Sequence, residues 1–144
     1  MNLDLPTDLL QVTTMTLATS VAQGEPHAAA VYFAADEHLR LYFFSDPQSQ
    51  HGQDLSREWR AAVSFYPQTQ DWREIRGVQM RGEVRMVAAG PEWEVGWTVF
   101  AAKFPFVRHL KVIVAQNALY VFIPDWIRLV DNSQGFGFKR EWTL

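Results

Sequence analysis

Residues 75–87 carry the cleanest hydrophobic alternation in the chain. Val78, Met80, Val84 and Met86 fall on one side, Gln79, Arg81, Glu83 and Arg85 on the other. Period two predicts a half-buried strand. Its charged side reads as a solvated or interface face with cross-strand ion pairs. Gly77 and Gly82 mark a bulge, a bend or the close approach of another group. Shorter β patterns occupy residues 12–21 and 27–34, joined as a hairpin through Gln23-Gly24-Glu25-Pro26. Others cover residues 61–67, 118–123 and 126–130, the last two separated at Pro124-Asp125, and a closing strand covers 136–142.

Helical signals are fewer. Residues 3–11 read as a short helix or turn, and Gly90-Pro91 opens a longer helix with Glu92 and Glu94 in its first turn. Trp93, Trp97, Phe100 and Phe104 recur at helical spacing as a buried stripe. After Pro105, residues 106–111 add another turn or two. Six or seven strands with two or three short helices predict a mainly β fold, a small β-barrel with attached helices, in a single domain over residues 1–144.

One stretch, residues 39–55, changes pattern within itself. Leu41 and Phe43 alternate with Arg40, Tyr42 and Phe44 as in a strand, and Ser45-Asp46-Pro47 then turns the chain into a helix start. Asp46 can cap that helix with Pro47 at its first position, or Ser45 can cap it with Gln48 three residues on. Ser49, Gln50 and His51 then lie in or beside the first turn. Free amides and the positive dipole end suit a phosphate or carboxylate, with the Ser45 and Ser49 hydroxyls and His51 completing the site. Alternatively the same residues only cap the helix. Ala28, Ala29 and Ala30 in the hairpin either let a flat ligand lie near the backbone or leave room for aromatics across the barrel.

Composition narrows the function. The 144 residues are 48% hydrophobic, 14% aromatic and 20% charged, with net charge −3, so nucleic acid is not the expected partner. No apolar run reaches membrane-spanning length. The first Lys or Arg in the chain is Arg40, so a positively charged leader is not expected and a cytoplasmic location is. With no cysteine, thiol chemistry and thiolate metal sites are excluded. His27, His38, His51 and His109 show no metal spacing. Ser64, His27 and Asp36 lack the Gly-x-Ser-x-Gly context of a hydrolase.

The hairpin, the Tyr-Phe-Phe-Ser strand, the Ser-Gln-His helix start, Arg-Gly-Val-Gln-Met-Arg-Gly-Glu (76–83) and Gly-Phe-Gly-Phe-Lys-Arg-Glu-Trp (135–142) follow one another in a familiar order. This order resembles the pyridoxamine 5'-phosphate oxidase-like family of FMN-binding split β-barrels, and within it the small YhbP-type branch. The resemblance implies a homodimer with FMN at the subunit interface. The flavin phosphate would sit on Ser45, Ser49, Gln50 and His51, and the ring beside Ala30 and Val31. The resemblance also puts Phe44 where the family has the residue preceding the phosphate-binding hydroxyl, and implies that the last strand, around Lys139 to Trp142, would close the site. Lys103 and Arg108 fall where oxidases of this family hold substrate phosphate; they either serve that purpose or are ordinary surface residues. Gln50 and His51 replace the Arg and Lys common in the family, and His27 is the nearest substitute for a basic residue on the strand near Ala29. Two functions follow: an FMN-dependent oxidoreductase of unknown small-molecule substrate, or a non-catalytic dimeric module binding flavin, haem or another planar ligand.

Overall fold

The computed structural model describes residues 3–144. Among them, eight strands form one antiparallel sheet: β1 (Thr14–Thr19), β2 (His27–Tyr32), β3 (Ala34–Ala35), β4 (Leu41–Ser45), β5 (Arg60–Phe65), β6 (Arg76–Met86), β7 (Ala118–Asp131) and β8 (Lys139–Thr143). Helices α1 (Gln50–Arg57), α2 (Pro91–Lys103) and α3 (Lys111–Gln116) accompany short 3-10 turns such as Thr7–Gln11 and Pro105–His109. The strand order is β2-β1-β5-β6-β7-β4-β3, with β8 added to β7. Strands β2 and β3 stand at opposite ends of that order, yet only Phe33 separates them in the chain. One segment therefore pairs with β1 through its first part and with β4 through its last. This curls the sheet into the expected barrel.

The interior follows from alternation. Met15, Leu17, Phe43, Phe65, Met80 and Phe122 lie buried inside. The outer faces of β4 and β7 are covered by α2, so Tyr42, Leu119 and Val121 are buried as well. That explains why β4 is apolar on both sides. Helix α2 reaches the sheet through Gly96, where a Cβ would lie 2.7 Å from the Tyr42 ring. Its contact line runs through Gly96, Phe100 and Ala101. Phe100 and Phe104 are core, as the spacing predicts. Trp93 and Trp97 flank the line, half-covered and stacked on each other at 5.7 Å.

Along β6 and β7 the structure differs from expectation at two points, and the closing strand begins at Lys139 rather than Phe136. The predicted break at Pro124-Asp125 is a bulge inside a single 14-residue strand. Gly82 pairs with Pro124 and Arg81 with Trp126, leaving Asp125 as the extra residue. A proline without an N–H is tolerated where the ladder is already interrupted. Asp125 forms an ion pair with Arg60 and accepts at its carbonyl from Leu144 N–H at 2.9 Å. Met86, expected inside with Val84, is exposed at the end of β6.

Gly82→Ala should destabilise the fold by about 2–3 kcal/mol, because the added Cβ would meet the Ile123 carbonyl oxygen at 2.1 Å. Phe100→Ala should cost about 3–5 kcal/mol and Trp97→Ala less. Urea unfolding midpoints check all three.

Candidate functional site

Strand β4 ends at Ser45, and the chain turns over Asp46 and Pro47 into α1. Asp46 caps the turn itself, its carboxylate accepting from Gln48 N–H at 2.9 Å. The helix begins later than either cap proposed from sequence. Ser49 is its N-cap: its hydroxyl accepts from Gly52 N–H at 3.2 Å and donates to the Asp46 carbonyl at 2.6 Å. Gln50 and His51 are the first two helical residues, whose amides have no acceptor within the helix.

Ser45 Oγ and His51 Nε2 share a hydrogen bond. The His51 ring, 9% exposed, stacks on His27 from β2 with centroids 6.0 Å apart and planes 13° from parallel. Burial, and then the neighbouring His27, lowers the His51 pKa below the ordinary 6.5. Gln50 does not face the turn. Its amide donates to Asp54 at 2.9 Å, and Thr19 donates to the other oxygen of the same carboxylate at 2.8 Å. Asp54 is 3% exposed. The Thr19 hydroxyl, with help from Gln50, holds it below the usual carboxylate range against the opposing effect of burial.

The fold thus gathers Ser45, Ser49 and His51 at the turn, with His27 beside them as the resemblance implied and Gln50 turned towards Asp54. It adds Thr19 and Asp54, which sequence reasoning missed. Their signals were available: Thr19 is the hairpin partner of His27, and Asp54 stands one helical turn after Gln50. No Lys or Arg hydrogen-bonds any of these side chains among the described residues. Hydroxyls, an imidazole and amides supply donors for an anionic group, while Asp54 contributes a negative charge.

The other candidates stand elsewhere. Ala30 points outward on β2 and lines a cleft of about 640 Å³ with Thr16, Ser64 and Tyr66; Val31 packs against the core. Phe44 is packed under α2, 5.1 Å from Phe100. Trp142 on β8 pairs with Ile127 and rests on the barrel core. Arg108 is exposed on the turn after α2. Lys103 donates to the Leu10 and Val12 carbonyls at 2.9 and 2.7 Å, and its ammonium lies 4.0 Å from the Phe33 ring centroid. These contacts tie the N-terminal segment to the barrel.

The pyridoxamine 5'-phosphate oxidase family model matches residues 7–131. The chain belongs to that family. A UPF0306 protein of Cronobacter sakazakii is 34% identical over 115 residues, covering 80% of this chain and 76% of its own. The UPF0306 protein YhbP of Salmonella arizonae is 31% identical over 121 residues, covering 83% and 78%. These relatives place the chain in the YhbP-type branch. Among solved structures, a haem-binding protein of Mycobacterium smegmatis superposes with TM-score 0.76 at 18% identity; the match covers 98% of this chain and 60% of that one. The haem storage protein HutZ of Vibrio cholerae gives 0.71 at 15%, covering 82% and 86%. An FAD-binding protein of Mesorhizobium loti gives 0.68 at 17%, covering 85% and 87%. At these identities the likeness concerns the fold.

Burial lowers the Lys103 pKa from 10.5 to about 8. Between those values the unfolded chain holds more protons, so this group makes stability rise with pH across the window. Urea midpoints from about pH 7.5 to about pH 10 should rise less in Lys103→Met than in the parent protein.

Proposed function

We propose that this protein binds FMN between two copies of itself and acts as a flavin-dependent oxidoreductase on a small molecule. The observation that carries this reading is the β4–α1 junction, where two helix-start amides, the Ser45 hydroxyl and His51 meet at one turn. Ser45, Ser49 and His51 would hold the phosphate, and the strand carrying Ala30 would border the ring. FMN, when bound, supplies the hydride or electron transfer. The chain's own contribution is to bind and orient the flavin and to exclude water from it.

The outer sheet face supports the homodimer. Ala30, Thr16, Ser64, Gln79, Arg128 and Glu141 form one row across six strands. Small side chains fill one half of that face. The other half carries the Arg128–Glu141 ion pair and Arg81, whose guanidinium lies 3.9 Å from the Trp126 ring centroid. A two-fold axis would set the recessed half of each copy against the projecting half of the other.

A second reading keeps the dimer and drops the chemistry: a binding module for a planar ligand such as flavin or haem. It is favoured by the lack of any Lys or Arg hydrogen-bonded at the turn among the described residues. A charge-assisted contact to phosphate contributes about 1.5–3 kcal/mol, and none is supplied here by a permanent cation.

Absorbance spectra of the purified protein with FMN and, separately, with hemin distinguish the two. A two-band flavin spectrum retained through gel filtration, and bleached by a nicotinamide donor, is the expected result. Retention of hemin with no flavin bound would give the second reading. Ser45→Ala combined with His51→Ala should weaken FMN binding roughly 30-fold or more, as two hydrogen bonds of about 1–1.5 kcal/mol are removed. Ser49 is left in place because its loss would also remove the helix cap, worth about 1 kcal/mol.

A further inference from the structure

The β4–α1 turn has donors but a neutral imidazole and an ionised acid. His51 faces His27 from β2, Ser45 from β4, Asp46 in the turn, and Asp54 on its own helix. Thr19 from β1, with Gln50, holds Asp54 in place, and Arg57 lies near enough to favour the same carboxylate. Asp46 and Asp54 favour a proton on His51, but burial and His27 outweigh them. An incoming phosphate therefore meets the field of Asp54, which Arg57 offsets only without a hydrogen bond, and no Lys or Arg hydrogen-bonds the turn among the described residues. Of the two imidazoles stacked there, His51 is the one hydrogen-bonded to Ser45 at the turn. A phosphate in contact with its ring would offset both influences that keep it neutral.

We propose that phosphate capture at this turn is coupled to proton uptake by His51, so that the protein prefers a phosphorylated flavin to its unphosphorylated parent only under mildly acidic conditions. This rests on the flavin reading above. At higher pH the turn contributes neutral hydrogen bonds alone, and the two flavins bind with similar affinity. As pH falls, one proton enters with each phosphate bound, and affinity for the phosphorylated ligand rises by roughly tenfold per pH unit. Below about pH 6 the phosphate takes up its own second proton and the gain levels off.

The experiment measures dissociation constants for FMN and riboflavin by flavin fluorescence from about pH 6.5 to about pH 8.5. The FMN constant is expected to rise by up to about tenfold per unit from about pH 6.5 towards neutrality and to level off at the riboflavin value above it, while the riboflavin constant stays level throughout. His51→Gln, which keeps a hydrogen-bonding side chain without a titrating ring, should remove the slope for FMN; its retained riboflavin binding reports that it is folded. Parallel pH profiles for the two flavins, or a slope that survives His51→Gln, would overturn the inference and leave flavin binding standing. If neither flavin binds the parent protein at any pH, the flavin reading fails and this inference with it.

Discussion

Strand β7 holds the two halves of this molecule together, and it does so because of one extra residue. Over its first half β7 pairs with β4, and over its second half with β8. Its opposite edge carries β6 along almost the whole length. A flat 14-residue strand would extend straight through both halves. The bulge at Asp125 re-aims it, and the bare backbone of Gly82 lets the Ile123 carbonyl close in against β6. The added twist lets the sheet curl until the β2–β3 segment meets both ends. The positions of β4 and the helix that follows it depend on that closure.

The candidate site is a consequence of the same geometry. Curling brings β1 and β2 under α1, so Thr19 and His27 from the hairpin reach Asp54 and His51 on a helix much later in the chain. Each contact favours the uncharged imidazole or the charged carboxylate, and among the described residues no Lys or Arg hydrogen-bonds the helix start. The donors at this turn are hydroxyls, amides and an imidazole beside the ionised Asp54, so its attraction for any anionic group would come from dipoles. This separates the chain electrostatically from a site built on Arg and Lys while its backbone path stays that of the family. Lys103 illustrates the same point from the other side. It has the right charge for a phosphate, but its ammonium is occupied by two carbonyls and an aromatic face.

Much of the fold was legible in the sequence. Alternation located the hairpin, the charged face of β6 and the strand-to-helix junction, since side-chain direction in a strand depends only on position parity. The family order of motifs then indicated how the strands close. Pro124 misled because a proline reads as a strand break unless the partner strand is known to slip beside it. Trp93 and Trp97 misled in a milder way. Helical spacing identifies a stripe, but which part of the stripe touches the sheet was decided by Gly96, which lets the helix approach along one line. Met86 followed the alternation and still emerged exposed, because the covering ends before it does.

The order of motifs along the sequence pointed to the family; beyond that resemblance, the sequence by itself determined the mainly β class and the run of serines, glutamine and histidine at the start of α1. These are local properties, set by parity, turn chemistry and residue type. The tertiary structure alone decided what those side chains face. Asp54 turned Gln50 away from the turn, His27 and burial kept His51 neutral, and Lys103 was bound to the N-terminal segment. Charge state and orientation depend on neighbours distant in the chain, and only the closed barrel brings those neighbours within reach.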